Sequence, residues 1–139
     1  MRYCTLQDLI DTFSQARLAE LSDRVNMPAT TVDETVVDRA IDDAGAEINL
    51  YLAGRHTLPL ASVPVMLKRI ACDLAWRNLH TQVPDDHPAE KVRQARLKQL
   101  DGIATGKLSL GLDAADVPVP TGNTVQVAPG RNDFARGGW

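Results

Sequence analysis

His56, His80 and His87 are the side chains here best suited to moving a proton or holding a metal near neutral pH. None stands at ligand spacing from a Cys or Glu. His56 follows Arg55 in a run between two expected helices, and His87 sits in the acidic turn Asp85–Pro88, so surface or turn roles are expected of them. Carboxylates occur as the adjacent pairs Asp42-Asp43 and Asp85-Asp86. Neighbours on a helix point in different directions, so the first pair does not converge. The second lacks the ligand spacing of a calcium loop. There is no nucleophile elbow, phosphate loop or dinucleotide glycine fingerprint. Catalysis would need residues that converge only in space, as in a hydrolase with hidden carboxylates. An enzyme reading survives only on those terms, and no cofactor or metal is expected.

Lys91, Arg93, Arg96 and Lys98 make one segment basic, and at these spacings they cover more than one side of a helix. One reading is a small helical DNA-binding regulator of the helix-turn-helix kind. Against it, the chain carries a net charge of −3, and its turns lack the tight geometry of that motif. Cys4 and Cys72 lie in apolar helical contexts without metal or redox spacing, and are expected to be reduced, buried, small hydrophobes.

The elements that must position these groups follow from the apolar period. With 139 residues there is material for one domain with a single core, and with aromatics at 4% that core must be mainly aliphatic. Thr5 caps a first helix, with Asp8 at its third position and Leu6, Leu9, Ile10 and Phe13 on its apolar side. Ser14 caps a second, short helix through Leu18 and Leu21, and Ser22–Thr31 reads as a loop. Asp33 caps the strongest helix, where Val37, Ile41, Ala44, Ile48 and Leu52 form one stripe. Within it Gly45 costs helix stability and leaves room for another backbone, and Gly54 is expected to stop the helix in a left-handed conformation. Pro64 suits the first turn of a fourth helix that buries Leu67, Ile70, Ala71 and Leu74 and ends near His80. A last helix from about Ala89 to Thr105 should bury Val92, Leu97, Leu100, Ile103 and Ala104 and stop at Gly106. The fold class is therefore all-α, a compact bundle of four to five helices over residues 1–107.

Residues 108–139 change character. Gly111, Pro118, Pro120, Gly122, Pro129, Gly130, Gly137 and Gly138 break any helical period. Such a segment cannot bury enough of itself to fold alone. It is expected to be an extended tail ordered by a neighbouring subunit or another protein. Thr124–Val127 alternates as a strand added to a partner's sheet would. Charge is also split along the chain: −5 over residues 1–60, +3 over 61–107 and −1 over 108–139. Acidic and basic portions of one chain suit head-to-tail contact between identical subunits. No membrane-length apolar run is present and no signal peptide opens the chain, so synthesis in a bacterial cytoplasm is expected.

Several of these pieces together resemble the Mu-like branch of the head–tail connector (adaptor, or head-completion) proteins of tailed phages. Tyr3-Cys-Thr-Leu-Gln-Asp-Leu9 is similar to their opening, an aromatic residue before a capped helix. Asp33–Gly54, ending Ala-Glu-Ile-Asn-Leu-Tyr-Leu, resembles their long second helix. Arg55-His-Thr-Leu-Pro-Leu60 with Val63-Pro64 resembles the linker to their third helix, although His56 stands where the family often has an aromatic residue. Ile70–Ala75 and Ile103–Leu110 resemble the third helix and the end of the last one. Order and spacing carry the likeness, which spans about residues 3–110.

The resemblance implies a virion protein of the head–tail neck without enzymatic activity. It would form a homo-oligomeric ring, generally twelve-fold, under the portal protein. The ring extends the DNA channel, passes genomic DNA without sequence-specific binding, and meets a tail-side connector or tail terminator protein. A tail that docks into the portal gives residues 108–139 a use, with Val125, Val127, Arg131, Phe134, Arg136 and Trp139 as its anchors. Asp38, Asp42, Asp43 and Glu47 would face the channel or a subunit boundary, and Lys91, Arg93, Arg96 and Lys98 would supply the basic inter-subunit face.

Overall fold

The structure, a computed structural model, describes residues 1–111. Those residues form an all-α bundle of five helices: α1 Leu6–Phe13, α2 Gln15–Ser22, α3 Glu34–Leu52, α4 Val65–Leu79 and α5 Pro88–Ala104. Helices α3 and α4 make the principal pair, α5 packs across both, and the short α1 and α2 close the remaining side.

Local signals set most of the boundaries. The Thr5 side chain accepts from the Asp8 backbone N–H while Asp8 accepts from the Thr5 N–H, a reciprocal capping box. Ser14 ends α1 and starts α2, its hydroxyl accepting from the Arg17 N–H, and this double duty holds it at φ +82°. Asp33 accepts from the Thr35 and Val36 N–H groups at the start of α3. The stripe Val37, Ile41, Ala44, Ile48 and Leu52 is buried as expected, and Ala40 and Gly45 widen it. Helix α4 buries Leu67, Ile70, Ala71, Cys72, Leu74, Ala75 and Leu79, so it is covered on several sides. Ala44 and Gly45 on α3, with Ala71 and Ala75 on α4, are small enough to leave the core to aliphatic chains.

Four expectations need correcting. Gly54 is not left-handed: α3 ends at Leu52, Ala53 is still right-handed, and the Arg55 and His56 N–H groups turn back onto the Leu52 carbonyl. The left-handed stop lies instead at Gly106, φ +85°, after α5. A Cβ on Gly106 would sit 3.0 Å from the Arg55 guanidinium carbon, so the α3–α4 linker lies against the end of α5. The last helix begins at Pro88, because His87 caps it through Nδ1, which accepts from the Ala89 N–H. Val92 is 41% exposed rather than buried, since the inward positions nearby belong to Glu90, Arg93 and Arg96, which pair with other helices. Pro64 stands as the cap before α4, one position earlier than its first turn.

Beyond Lys107 the chain starts by folding back. The Leu108 N–H donates to the Gly102 carbonyl, its side chain covers Gly102, and Leu110 packs against the core.

At Gly45 an added Cβ would lie 2.3 Å from the carbonyl oxygen of Met1. Gly45→Ala should therefore destabilise the protein by about 1–3 kcal/mol despite its better helix propensity. Denaturant unfolding checks the sign; a variant more stable than the parent would show that the N-terminal segment does not lie there.

Candidate functional site

The close approach at Gly45 is one end of a strap. Residues 1–5 run over α3 and α4, and each is held differently. Met1 places its carbonyl over Gly45. The Arg2 guanidinium bonds both oxygens of Asp42, at 2.6 and 3.1 Å, and reaches Asp38 at 3.3 Å. Tyr3 is 2% exposed and donates its hydroxyl to Asn49. Cys4 is buried in the same core cluster as Cys72 of α4, and Thr5 caps α1. The acidic patch on α3 thus gathers Asp38 and Asp42 under one cation, which holds the Asp42 carboxyl below its ordinary range. Asp43 points to solvent and has no ion-pair partner among the described residues.

The basic segment of α5 divides into two faces. Arg93 pairs with Glu47 of α3 at 2.8 Å, and Arg96 pairs with Asp73 of α4 at 2.6 Å. Arg77 of α4 pairs with Glu90, holding its carboxyl below the ordinary range with help from Gln94. Glu47, expected at the channel or a subunit boundary, and Arg93, expected on the basic inter-subunit face, therefore meet inside one subunit. Lys91 and Lys98 are exposed and, seven residues apart, share the outer face of α5.

Sequence reasoning missed an aromatic array at the mouth of the α1–α4–α5 side. Phe13 stacks on Trp76 with ring centroids 4.2 Å apart, and Arg17 lies 5.5 Å above the Trp76 ring. His80 meets Trp76 edge-on, donates from Nδ1 to the Trp76 carbonyl, and touches the His87 ring at 5.2 Å. The four-residue spacing of Trp76 and His80 was the available signal; the pairing with Phe13 and His87 is long-range. Burial lowers the His80 pKa, opposed by the bond to the Trp76 carbonyl and reinforced by nearby His87, Arg77 and Arg17.

The loop after α2 is knitted around one side chain. Asp23 accepts from the N–H groups of Val25, Asn26, Thr30 and Thr31 and from the Asn26 side chain. These bonds, those from Asn26 foremost, hold its carboxyl well below the usual range. The loop base is closed by Ser22, whose hydroxyl donates to the Leu18 carbonyl and accepts from the Asp33 N–H. So built, the loop presents Val25 and Met27 at 89% and 97% exposure, while Leu50 on α3 and Val65 on α4 are each 81% exposed. Among the described residues no three His, Cys, Asp or Glu side chains gather as metal ligands would, and no helix is long and apolar enough to cross a membrane. The expected tail anchors Val125, Val127, Arg131, Phe134, Arg136 and Trp139 lie outside the described residues.

Comparison with known proteins gives the arrangement its relatives. The family described as "Bacteriophage Mu, Gp36" matches residues 3–129. The chain is 33% identical over 140 residues to "Gene product J" of Escherichia phage Mu, covering 98% of this chain and 96% of that protein. It is 36% identical over 95 residues to "Mu-like prophage FluMu protein gp36" of Haemophilus influenzae, covering 68% of this chain and 67% of that one.

Asp73 is 9% exposed, so loss of its partner leaves a nearly buried carboxylate uncompensated. Arg96→Met should cost about 2–4 kcal/mol, whereas Lys98→Met should change stability by less than about 0.5 kcal/mol; equal effects in urea unfolding would contradict this division of α5. His80 gives a pH dependence of defined sign. Above its ordinary value near pH 6.5 the imidazole is neutral in folded and unfolded chains alike. As pH falls through that value the unfolded chain takes up the proton first, so stability present above it is lost below. His80→Phe should lose less melting temperature than the parent between about pH 7.5 and about pH 5.5.

Proposed function

This chain belongs to the bacteriophage Mu Gp36 family, and from that premise we propose that it is a structural subunit of the head–tail connector. In this reading it has no enzymatic activity. Copies close into a ring beneath the portal, probing as many positions as the portal offers, and the ring extends the DNA channel towards a tail-side connector or terminator protein. The protein works in the neck of the particle after synthesis in the bacterial host.

One observation carries the reading furthest. Val25, Met27, Leu50 and Val65 are large apolar side chains, each at least 81% exposed, and they stand on four-residue-or-longer stretches held by hydrogen bonds or helix. Contact with partner surfaces would take these groups out of water. A ring supplies such contacts, since one subunit offers two different faces to its neighbours and further surfaces to the layers above and below. Asp43 on one side of the sequence and Lys91 and Lys98 on the other remain as charges for such contacts. Net negative charge suits a channel through which DNA must slide, because many phosphate contacts would retard it. The tail beyond Leu110, whose anchors would be Arg131, Phe134, Arg136 and Trp139 among others, is assigned to the portal.

The alternative, a small helical DNA-binding regulator, loses support from the same side chains. Arg93 and Arg96, half of its basic segment, are engaged by Glu47 and Asp73.

Purified chain mixed with DNA-filled, tailless heads of the matching phage should co-sediment stoichiometrically, and a chain truncated after Lys107 should not. Binding by both would move the docking surface to the helices. Binding by neither, together with salt-sensitive binding of duplex DNA that falls when Lys91 and Lys98 are neutralised, would replace the connector with the regulator.

A further inference from the structure

Cys4 and Cys72 are far apart in sequence and are brought together by the strap. Both are buried, at 3% and 2% exposure, in one core cluster, and Asp8 and Lys68 border each of them. Cys4 rides on the strap, whose other attachments are non-covalent: Met1 over Gly45, Arg2 on Asp38 and Asp42, and Tyr3 on Asn49. Cys72 is fixed in α4. Two cavities flank the pair. One of about 340 Å³ is lined by Arg2, Tyr3, Cys4 and Val63, and one of about 170 Å³ by Thr12, Val65, Arg69 and Cys72; Asp8 and Lys68 line both.

We propose that Cys4 and Cys72 are a disulfide-forming pair, a covalent lock that fastens the N-terminal strap to α4 when the protein meets an oxidising small disulfide. Closing this bond joins two residues of one core cluster that share Asp8 and Lys68 as neighbours; its geometric requirement is close approach of the two side chains. Each thiol borders one of the two cavities, and attack from Cys72 takes the following course. The Cys72 thiolate attacks one sulfur of the small disulfide, forming a mixed disulfide and expelling one thiolate. Cys4 then gives up its proton to that thiolate and attacks the Cys72 sulfur, expelling the second thiolate, which takes a proton from water. Both cysteines are oxidised by two electrons in all, and one small disulfide is reduced to two thiols.

The consequence is a strap that cannot lift. In the reduced protein its outermost tie is the Arg2 cluster, which is close to half exposed and screened by salt. In the oxidised protein the chain between residues 4 and 72 becomes a closed loop, which restricts the unfolded state. A protein made in a reducing compartment and later carried in a particle outside the cell would gain this lock after assembly. The pairing itself stands apart from the connector reading, since it is tested on the isolated chain.

The test is thiol counting on the full-length chain after incubation with oxidised glutathione, with unreacted thiols alkylated in denaturant and intact mass recorded. The expected product is a monomer with neither thiol alkylated and no glutathione attached, about 2 Da lighter than the reduced chain, and a peptide joining Cys4 to Cys72 after digestion. Its melting temperature should exceed that of the reduced chain by about 5–10 °C. Cys4→Ser should stop at a glutathione adduct on Cys72. Two free thiols after oxidation, a stable glutathione adduct on the parent chain, or disulfides formed only between chains would each overturn the proposal.

Discussion

Helix α3 has to be covered from more than one direction, and most of the structure follows from that demand. Its buried positions, Val37, Ala40, Ile41, Ala44, Gly45, Ile48 and Leu52, spread wider than the single stripe that one partner helix can hide. Helix α4 covers the central stripe, α5 takes one flank, α1 and α2 contribute at another, and the strap lies over Gly45. The strap reaches that flank because residue 45 has no side chain. A helix-weakening glycine in the middle of the longest helix is thus the condition for burying Tyr3 and Cys4.

A second constraint comes from composition. With so few aromatics the core is filled by leucine, isoleucine, valine and alanine, and α5 does not have enough apolar side chains to line its whole inner face. Its first half instead sends Glu90, Arg93 and Arg96 inward to Arg77, Glu47 and Asp73. These pairs are half-buried and mutually compensated. They select a register between α5 and its neighbours more than they add net stability. Several charges that look available for partners in the sequence are thus engaged within the subunit, while Lys91, Lys98 and Asp43 are exposed without an ion-pair partner among the described residues.

What could be read in advance sorts by range. The capping residues Thr5, Ser14 and Asp33, the stripes of α3 and α4, and the close approach at Gly45 are local or periodic features, and all are found where the residues place them. Gly54 and Val92 misled because each was judged on its own helix alone. The chain turned right-handed at Ala53, and the polar pairs of α5 displaced Val92 from the interior. The strap's partners, the Trp76 array and the shared core cluster of Cys4 and Cys72 join residues tens of positions apart, and no spacing rule announces them. The Asp23 loop lies between: its residues are ordinary turn formers, but that one carboxylate organises the whole turn and so displays Val25 and Met27 is a matter of three-dimensional closure.

The account as a whole stands on the chain being a neck component present in step with the portal. The most direct test is quantitative mass spectrometry of purified, tailed particles, comparing copies of this chain with copies of the portal subunit. The connector account requires the two to be present in about equal number, as layers of matching rings must be. A chain that is made during infection but absent from the particles, or present in a number unrelated to that of the portal, would contradict it.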